Sequence, residues 1–236
     1  MSYDIGSKVY TAKEALGETQ VLSLLGGFMD VVYFGSRELY GDFTTAINSL
    51  RAHNDANVYA IIEDDCLDIP DVTYIKWDYR TLFNDTNTRT KWKHFGVLRA
   101  ALSFVLPLDK VLSLDVDTIV TGDLTELWET DLTGYDMAMV REPYLSYGDP
   151  YYNAGVCLMN LAELRASGTD IDMVKDLNTD EYRYVAQDVI TRRCRIKDIP
   201  SKWNSCMFTE PCDNPSILHF ANRTDWRDLP VVSQYR

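Results

Sequence analysis

Short apolar blocks alternate with longer amphipathic blocks along most of this chain, and that alternation limits the folds open to it. Helix-like spacing of apolar residues occurs at 43–53, and again at 94–106 before Pro107. Strands that alternate with helices predict a mostly parallel sheet covered by helices on both faces, an α/β fold with a Rossmann-like sheet. The strand-like runs are VVYF (31–34), VYAIIE (58–63), VTYIKW (72–77) and KVLSLDVD (110–117).

The alternating pattern occupies residues 29–236 as one predicted domain, whose first strand begins at Met29. Residues 1–28 form a predicted N-terminal extension, with a short helix at 12–25. A chain of 236 residues needs no disulfide or metal ion to fold. No apolar run is long enough to span a bilayer, no secretory signal opens the chain, and no basic amphipathic tail follows the last block.

Charge and cysteine content exclude some partners. The net charge of −13 argues against nucleic acid or an anionic membrane as the main partner, although a metal ion can reverse the sign of one pocket. The five cysteines include no C-x-x-C pair, which indicates reduced thiols in a cytoplasmic protein. A bridge or a zinc site at Cys206 and Cys212 is the alternative.

An acidic pair follows the apolar strand VLSL. If the extended backbone continues, Asp115 and Asp117 face one side and Val116 faces the other. Two carboxylates at a strand end suit Mg²⁺ or Mn²⁺, with coordination positions left for substrate phosphates. The pattern alone favours a solvated turn over a metal site, because the chain is rich in aspartate and a second D-x-D occurs at 170–172 with no apolar strand before it. A D-x-x-E at 123–126 predicts a helix from Leu124.

Three later blocks add polar groups to apolar stretches. Asn153 and Gly155 interrupt residues 151–161, where a ligand could approach the backbone or a turn could precede a core strand. Residues 184–190 predict a helix with Gln187 and Asp188 near its start, a pair that is usually only solvated. His219 lies between apolar residues, a setting more typical of a core histidine than of a metal ligand.

Together these blocks resemble glycosyltransferase family 8, which includes glycogenin and bacterial lipopolysaccharide galactosyl- and glucosyltransferases. The resemblance runs from Met29 to the C-terminus and implies a GT-A fold with the D-x-D motif of that family. It depends on four features in the family's order: DKVLSLDVDTIVTGDLTELW (109–128), YYNAGVCLMNL (151–161), AQDV (186–189) and HFANRTDW (219–226).

The resemblance implies a role for each matching residue. Asp115, Asp117 and His219 match the ligands that hold Mn²⁺, with Mg²⁺ as the alternative, against the diphosphate of a UDP-sugar. Gln187 matches the residue beside the anomeric carbon, and Asp188 matches its acidic neighbour. The implied donor contacts are Tyr40 near the uracil ring, Arg99, Val116, Asn153, Ala154, Gly155 and Arg223.

The chain departs from the family pattern at three places. The first loop reads GSREL (35–39), without the family's acidic-Asn pair that reads uracil, so the base contacts of the donor differ. Ala186 stands where the family often has Asp. Asp225 precedes Trp226 where the family has a lysine near the diphosphate, and Arg223 can supply the positive charge instead.

Family membership implies transfer of a hexose from UDP-glucose or UDP-galactose, with retention of anomeric configuration, to a glycan, lipid-linked or protein acceptor. Gln187 is a poor nucleophile, which favours front-face attack, and a transient adduct on Asp188 is the alternative. Two other functions fit parts of the pattern: a nucleotidyltransferase or sugar-nucleotide hydrolase, and a non-catalytic module that binds a UDP-sugar.

Overall fold

The computed structural model describes residues 28–63, 67–89, 94–143 and 150–236, and its central feature is a seven-stranded sheet. The predicted helix at 12–25 lies outside these residues. The strands are β1 (Met29–Phe34), β2 (Ala56–Ile62), β3 (Val72–Lys76), β4 (Lys110–Leu114), β5 (Thr118–Val120), β6 (Met137–Arg141), β7 (Tyr152–Asn160), β8 (Ile196–Asp198) and β9 (Ile217–His219).

The strand order of the sheet is β3-β2-β1-β4-β7-β6-β8. Strand β7 is antiparallel to both of its neighbours, and every other pair is parallel. β5 and β9 form a separate antiparallel pair. The chain winds outward from β1 to β3 and then returns to β4 on the other side of β1, so the carboxyl ends of β1 and β4 form a topological switch point, where ligands bind in such sheets.

Helices cover both faces of the sheet, as the alternating pattern predicts. They are α1 (Tyr40–Arg51), α2 (Phe95–Leu98), α3 (Leu102–Val105), α4 (Thr125–Trp128), α5 (Leu161–Ser167), α6 (Thr169–Thr179), α7 (Ala186–Arg193) and α8 (Pro230–Ser233). Alternate side chains of β1 enter opposite cores: Val32 and Phe34 pack on the face that α2, α3, α5, α6 and α7 cover, whereas Val31 and Tyr33 pack against α1 and α4. The predicted fold class is confirmed.

Several element boundaries differ from the sequence predictions, and three of them concern helices near the acidic pair or the first loop. The predicted helix at 94–106 is interrupted by a 3-10 turn at Arg99–Ala101, from which the guanidinium of Arg99 reaches Ser113 and Asp115. The helix predicted from Leu124 begins at Thr125, whose backbone N–H donates to Asp123 Oδ1 at 2.6 Å. α1 begins at Tyr40, three residues before the apolar spacing starts.

The second D-x-D, at 170–172, belongs to the first turn of α6. Asp170 is buried and accepts a hydrogen bond from the Ser103 hydroxyl at 2.8 Å, while Asp172 is exposed beside Lys175. This pattern therefore ties α6 to α3. Cys206 and Cys212 are not bridged. Among the described residues, no helix combines the length and the apolar character that crossing a bilayer requires.

Candidate active site

The acidic pair lies in a turn between β4 and β5. The expectation that the extended backbone continues through it is wrong, because the strand ends at Leu114. The Asp115 N–H donates to the Gly155 carbonyl at 2.9 Å, and the Thr118 hydroxyl donates to the Asp115 carbonyl at 2.6 Å. The Phe220 N–H donates to the Asp117 carbonyl at 3.0 Å. The turn, rather than strand alternation, brings the two carboxylates together.

His219 completes an acidic triad at this turn. It ends β9, directly opposite Thr118 of β5, so the β5–β9 pairing carries its ring to the acidic pair. Nε2 lies 3.7 Å from Asp115 Oδ2 and 3.5 Å from Asp117 Oδ1, and one ligand atom from each residue lies within 4.8 Å of the other two. The imidazole is buried and the carboxylates are about one-third exposed, which leaves one side of the triad open.

The donor set of the triad fits a divalent cation. Two carboxylates and one imidazole suit Mn²⁺ or Mg²⁺, and three protein ligands leave positions for phosphate oxygens. Burial alone lowers the pKa of His219, but Asp117, the closer of the two carboxylates, together with a hydrogen bond to Cys206 and the charge of Asp115, raises that pKa to about 10. Burial conversely opposes ionisation of Asp117, yet the facing imidazolium holds the pKa of Asp117 below its ordinary value. The triad therefore holds a compensating proton that a bound cation would replace.

Arg99 is buried beside the triad. Its guanidinium donates to Asp115 Oδ1 at 2.8 Å and to Ser113 Oγ at 3.2 Å, and it lies 4.8 Å from the centre of the Phe34 ring. Burial opposes its charge, but Asp115, with smaller effects from Cys157 and Asp117, more than offsets burial, so the pKa of Arg99 is raised. Arg99 therefore orients Asp115, one of the three candidate metal ligands. Its predicted contact with the donor stays a prediction.

The missing side chain at Gly155 makes room for His219. A Cβ atom at this position would lie 2.1 Å from Cε1 of the imidazole, closer than non-bonded atoms approach. Gly155 therefore has a steric role within the triad, beyond the close ligand approach that its sequence pattern indicates. The neighbouring Ala154 donates its backbone N–H to Gln187 Oε1 at 3.0 Å.

A chain of buried amides extends from His219 into the fold. His219 Nδ1 lies 2.9 Å from Asn204 Oδ1, and Asn204 Nδ2 donates to Asn153 Oδ1 at 2.8 Å. Asn153 Nδ2 in turn donates to Glu142 Oε1 at 2.7 Å. Asn153 thus uses its carbonyl and one amide hydrogen inside the protein, and its predicted contact with sugar hydroxyls stays a prediction.

Glu142 joins this chain to Gln187. The Gln187 Nε2 donates to the same Glu142 oxygen at 3.2 Å, while the buried Glu142 Oε2 has no hydrogen-bond partner among the residues that the structure describes. Burial raises the pKa of Glu142 above its ordinary value, against the effect of the two amide donors. One carboxyl group therefore contacts both the chain that leads to His219 and the residue predicted to lie beside the anomeric carbon.

Asp188 is also held by hydrogen bonds. Its Oδ1 accepts a short hydrogen bond from the Tyr151 hydroxyl, and its Oδ2 accepts from the Tyr184 N–H at 2.9 Å. Val185, just before α7, has φ of 48°, a left-handed conformation that costs a β-branched residue energy. The strained residue directs the chain so that Tyr184 N–H reaches back to Asp188.

The remaining predicted donor contacts lie near the switch point with different exposure. Tyr40 is buried at the start of α1, where its hydroxyl accepts from the Glu63 N–H at 2.5 Å. Val116 is buried within the acidic turn and packs in the core on the α1 side. Arg223 is exposed and pairs with Asp225 at 2.8 Å. The sequence analysis did not identify Glu142, Asn204 and Tyr151 as site residues. Tyr151 opens the motif YYNAGVCLMNL and Glu142 follows the run MAMVR, whereas Asn204 lies outside all four motifs.

The structure is therefore that of an α/β protein with a mostly parallel sheet and a triad at the carboxyl end of β4 that has the composition of a metal site. The model of glycosyl transferase family 8 matches residues 44–225, and the chain belongs to that family. The curated relatives include glycosyltransferases from Streptococcus pneumoniae. Glycosyltransferase GlyA is 28% identical over 155 residues, which are 59% of this chain and 22% of the relative, and glycosyltransferase GlyE is 41% identical over 78 residues, 31% of this chain and 18% of the relative.

Solved structures agree on the fold. The crystal structure of GlyE from Streptococcus pneumoniae superposes with a TM-score of 0.67 at 21% identity, covering 89% of this chain and 60% of that one. The galactosyltransferase LgtC, solved with donor and acceptor sugar analogues, gives 0.65 at 18% identity, covering 88% of this chain and 95% of that one. The fold is therefore of the GT-A type. The chain spans between 18% and 36% of the length of the curated relatives it matches.

Proposed function

We propose that this chain is a metal-dependent, retaining glycosyltransferase that moves a hexose from UDP-glucose or UDP-galactose to a glycan, lipid-linked or protein acceptor. The observation that carries the proposal is the triad of Asp115, Asp117 and His219, whose ligand atoms lie within 4.8 Å of one another. Membership of glycosyltransferase family 8 supports the reaction class. The location at the sheet's switch point supports a nucleotide-linked donor.

The triad would hold Mn²⁺, or Mg²⁺, against the donor diphosphate. When bound, such a cation acts as a Lewis acid and offsets the charge that develops on the leaving diphosphate. Arg99 keeps Asp115 in place through its ion pair, and Asn204 keeps His219 in place through Nδ1. The protein therefore fixes the geometry of the ligands before the donor arrives.

The contacts of Gln187 and Asp188 favour front-face attack. Both oxygens of Asp188 already accept hydrogen bonds, from the Tyr151 hydroxyl and the Tyr184 N–H, which lowers their nucleophilicity. Gln187 is held by the Ala154 N–H and by Glu142, so its carbonyl dipole has a fixed direction. In this scheme a departing phosphate oxygen takes the proton of the acceptor hydroxyl, and the Gln187 carbonyl stabilises the oxocarbenium-like sugar.

Donor binding can be tested by thermal unfolding with UDP in the presence of Mn²⁺ and in the presence of EDTA. At a ligand concentration of 100 times Kd, binding stabilises the folded state by about 2.7 kcal/mol, so the unfolding temperature rises measurably with Mn²⁺ alone. Asp117→Asn should abolish this rise. Asp172→Asn is the matched control, because it removes an exposed carboxylate from the second D-x-D.

Two outcomes would contradict the proposal. In one, UDP raises the unfolding temperature equally in Asp117→Asn and in the unaltered protein. In the other, UDP does not raise the unfolding temperature with any divalent cation. Turnover is read as UDP release from a panel of UDP-sugars. A sugar-nucleotide hydrolase would release free sugar at the same rate with and without acceptor, whereas a transferase releases UDP in proportion to glycosylated acceptor. A module that only binds would show the thermal shift and no release.

A further inference from the structure

A groove with a volume of about 700 Å³ opens beside Asp188. Small-molecule sites typically have volumes of about 300–1,000 Å³, so the groove has room for a small sugar. Aromatic and cationic side chains dominate its walls, and it shares Asp188 with the candidate active site. The residues used below are Tyr151, Tyr152, Arg183, Tyr184, Asp188 and Arg192.

Three arginines around this groove form no ion pair with a carboxylate of the described residues, although Arg192 acts on Asp176 from a longer distance. Arg183 and Arg192 line it, and Arg141 lies opposite Tyr152 in the β6–β7 register. Within the described ranges, Arg183 contacts the Tyr184 ring at 5.1 Å, Arg192 donates to the Tyr182 hydroxyl at 3.3 Å, and no ion pair is formed by any of the three. Most other arginines do form ion pairs with carboxylates: Arg80, Arg89, Arg99, Arg165, Arg193, Arg195, Arg223, Arg227 and Arg236.

Two carboxylates at or beside the groove accept hydrogen bonds from tyrosine hydroxyl groups. Asp188 accepts from Tyr151, and Asp198 accepts from the Tyr152 hydroxyl. The charged residues of the wall are Arg183, Arg192 and Asp188, so the wall carries more positive than negative charge in a chain whose net charge is −13. Cations grouped without counter-ions repel one another, and a bound anion relieves that repulsion. Arginine, with its planar fork of donors, suits phosphate and carboxylate groups.

The tyrosines supply the other half of a sugar site. The rings of Tyr151 and Tyr184 lie 6.5 Å apart with an interplanar angle of 59°, so two differently tilted aromatic surfaces border the groove. Aromatic rings pack against the apolar C–H faces of a sugar, and tyrosine hydroxyls exchange hydrogen bonds with its polar groups. A sugar lying here could direct a hydroxyl towards Gln187 and Asp188.

We propose that this groove binds the acceptor, and that the acceptor is a glycan carrying an anionic group, a phosphate or a carboxylate. This inference rests on the proposed function, because the bound glycan is an acceptor only if the protein transfers a glycosyl group. The binding of an anionic sugar in the groove does not itself require the triad. The anionic group would pair with Arg183 and Arg192, and the sugar ring would pack on Tyr151 and Tyr184.

The test compares matched neutral and charged sugars by saturation-transfer NMR titration, with EDTA and without UDP, so that the triad plays no part. One pair is methyl glucoside and methyl glucuronide, and the other is glucose and glucose 6-phosphate. We expect the charged member of at least one pair to bind about tenfold tighter than its neutral partner. A difference within the glucoside and glucuronide pair would identify the anionic group as a carboxylate. A difference within the glucose and glucose 6-phosphate pair would identify it as a phosphate.

The double variant Arg183→Gln/Arg192→Gln should lose that preference about tenfold, because both charge-assisted contacts are removed. Arg89→Gln is the matched control: it removes one exposed arginine that pairs with Asp85, and it should keep the preference. Equal binding of neutral and charged sugars, a preference that survives the double variant, or no binding of any of the four sugars would overturn the inference.

The Mn²⁺-dependent thermal shift with UDP, measured on the same samples, separates the two proposals. A thermal shift with UDP but no binding of an anionic sugar would support the transferase proposal and contradict the proposed acceptor groove. Anionic-sugar binding that depends on Arg183 and Arg192, without any UDP shift, leaves the groove standing as a glycan site and rejects the donor site.

Discussion

At the scale of single residues, the hydrogen-bonding direction of Asn204 decides which nitrogen of His219 faces the acidic pair. The Gly155 backbone N–H can only donate, so the side-chain atom of Asn153 that faces it is the oxygen Oδ1. The amide nitrogen of Asn153 therefore faces Glu142. Asn204 then donates to Asn153 and presents its carbonyl to His219 Nδ1. Because a carbonyl only accepts, Nδ1 carries a proton, and Nε2 is the nitrogen that can bind a cation.

We predict that Asn204→Leu weakens Mn²⁺ binding about 10- to 100-fold, the usual cost of losing a partner of a metal-ligating histidine. The leucine is similar in size but offers no acceptor for Nδ1, so the orientation and tautomer of the ring are no longer fixed. Isothermal titration with Mn²⁺ measures the change.

Asn87→Leu is the control for general loss of a buried amide. Asn87 is also buried, and it donates at 2.7 Å to the carbonyls of Leu177 and Asp180, which lie on the α6 side of the fold. If Asn204→Leu binds Mn²⁺ as tightly as Asn87→Leu does, the role assigned to Asn204 is incorrect.

Gly155→Ala should disrupt the triad by steric contact. The added methyl group would lie 2.1 Å from His219 Cε1, so the ring must move away from the acidic pair. Overpacking of this kind costs about 1–3 kcal/mol of stability, and we expect Mn²⁺ binding to be lost as well. Urea unfolding and the Mn²⁺ titration measure the two effects.

The matched substitution is Gly41→Ala, because nothing lies within 4 Å of the added Cβ in α1. Replacing glycine by alanine inside a helix favours the helix by about 0.8–1.0 kcal/mol, so this variant should be slightly more stable. Unchanged stability and metal binding in Gly155→Ala would show that the ring can move without cost.

At the scale of elements, a bidentate ion pair fastens α7 to α6. Arg193 donates to Asp176 through Nε at 2.6 Å and through a terminal nitrogen at 2.7 Å. Asp176 is buried, and Arg193 is partly exposed. This contact fixes the C-terminal end of the helix whose first turn carries Gln187 and Asp188, so it holds the candidate catalytic helix against α6.

The same ion pair predicts a pH dependence of stability. The hydrogen bonds from Arg193 lower the pKa of Asp176 below its ordinary value of 3.8. A carboxyl group with a lowered pKa in the folded state stabilises the protein above its unfolded-state pKa, and this contribution disappears as the pH falls through the folded-state pKa. Asp176→Asn should therefore be less stable than the unaltered protein at pH 7.

Urea unfolding at pH 7 and at progressively lower pH should show the difference between the two proteins narrowing below pH 3.8. Asp172→Asn again serves as the control, because Asp172 is exposed on the same helix. A difference that stays constant with pH would mean that the charge of Asp176 contributes nothing and that only its shape matters.

At the scale of the whole molecule, the fold and the composition of the triad followed from the sequence, and the geometry of the site did not. Alternating apolar blocks predicted the sheet and its two helical layers, because strand and helix periodicities are local properties of the chain. The division into residues 1–28 and 29–236 stays a prediction. Asp115, Asp117 and His219 were named from motifs, and the structure brings them together.

The parts that only tertiary structure decided involve contacts between distant segments. The turn that brings Asp115 and Asp117 together is held by backbone hydrogen bonds to Gly155 and Phe220, which are both distant from it in sequence. The amide chain through Asn204 and Glu142 joins residues 62 positions apart in sequence, and no local spacing marks it. Antiparallel β7 places Tyr151 beside Asp188, so the groove exists only once the sheet is assembled.

The sequence by itself therefore determined the α/β class, the family and the ligand types of the candidate metal centre, since these depend on local periodicity and on residue chemistry. The tertiary structure alone decided how those ligands are held, why glycine occupies position 155, and where unpaired arginines collect. Hydrogen-bond direction, steric room and the sharing of counter-ions are properties of groups that meet only after folding, which is the physical reason for this division.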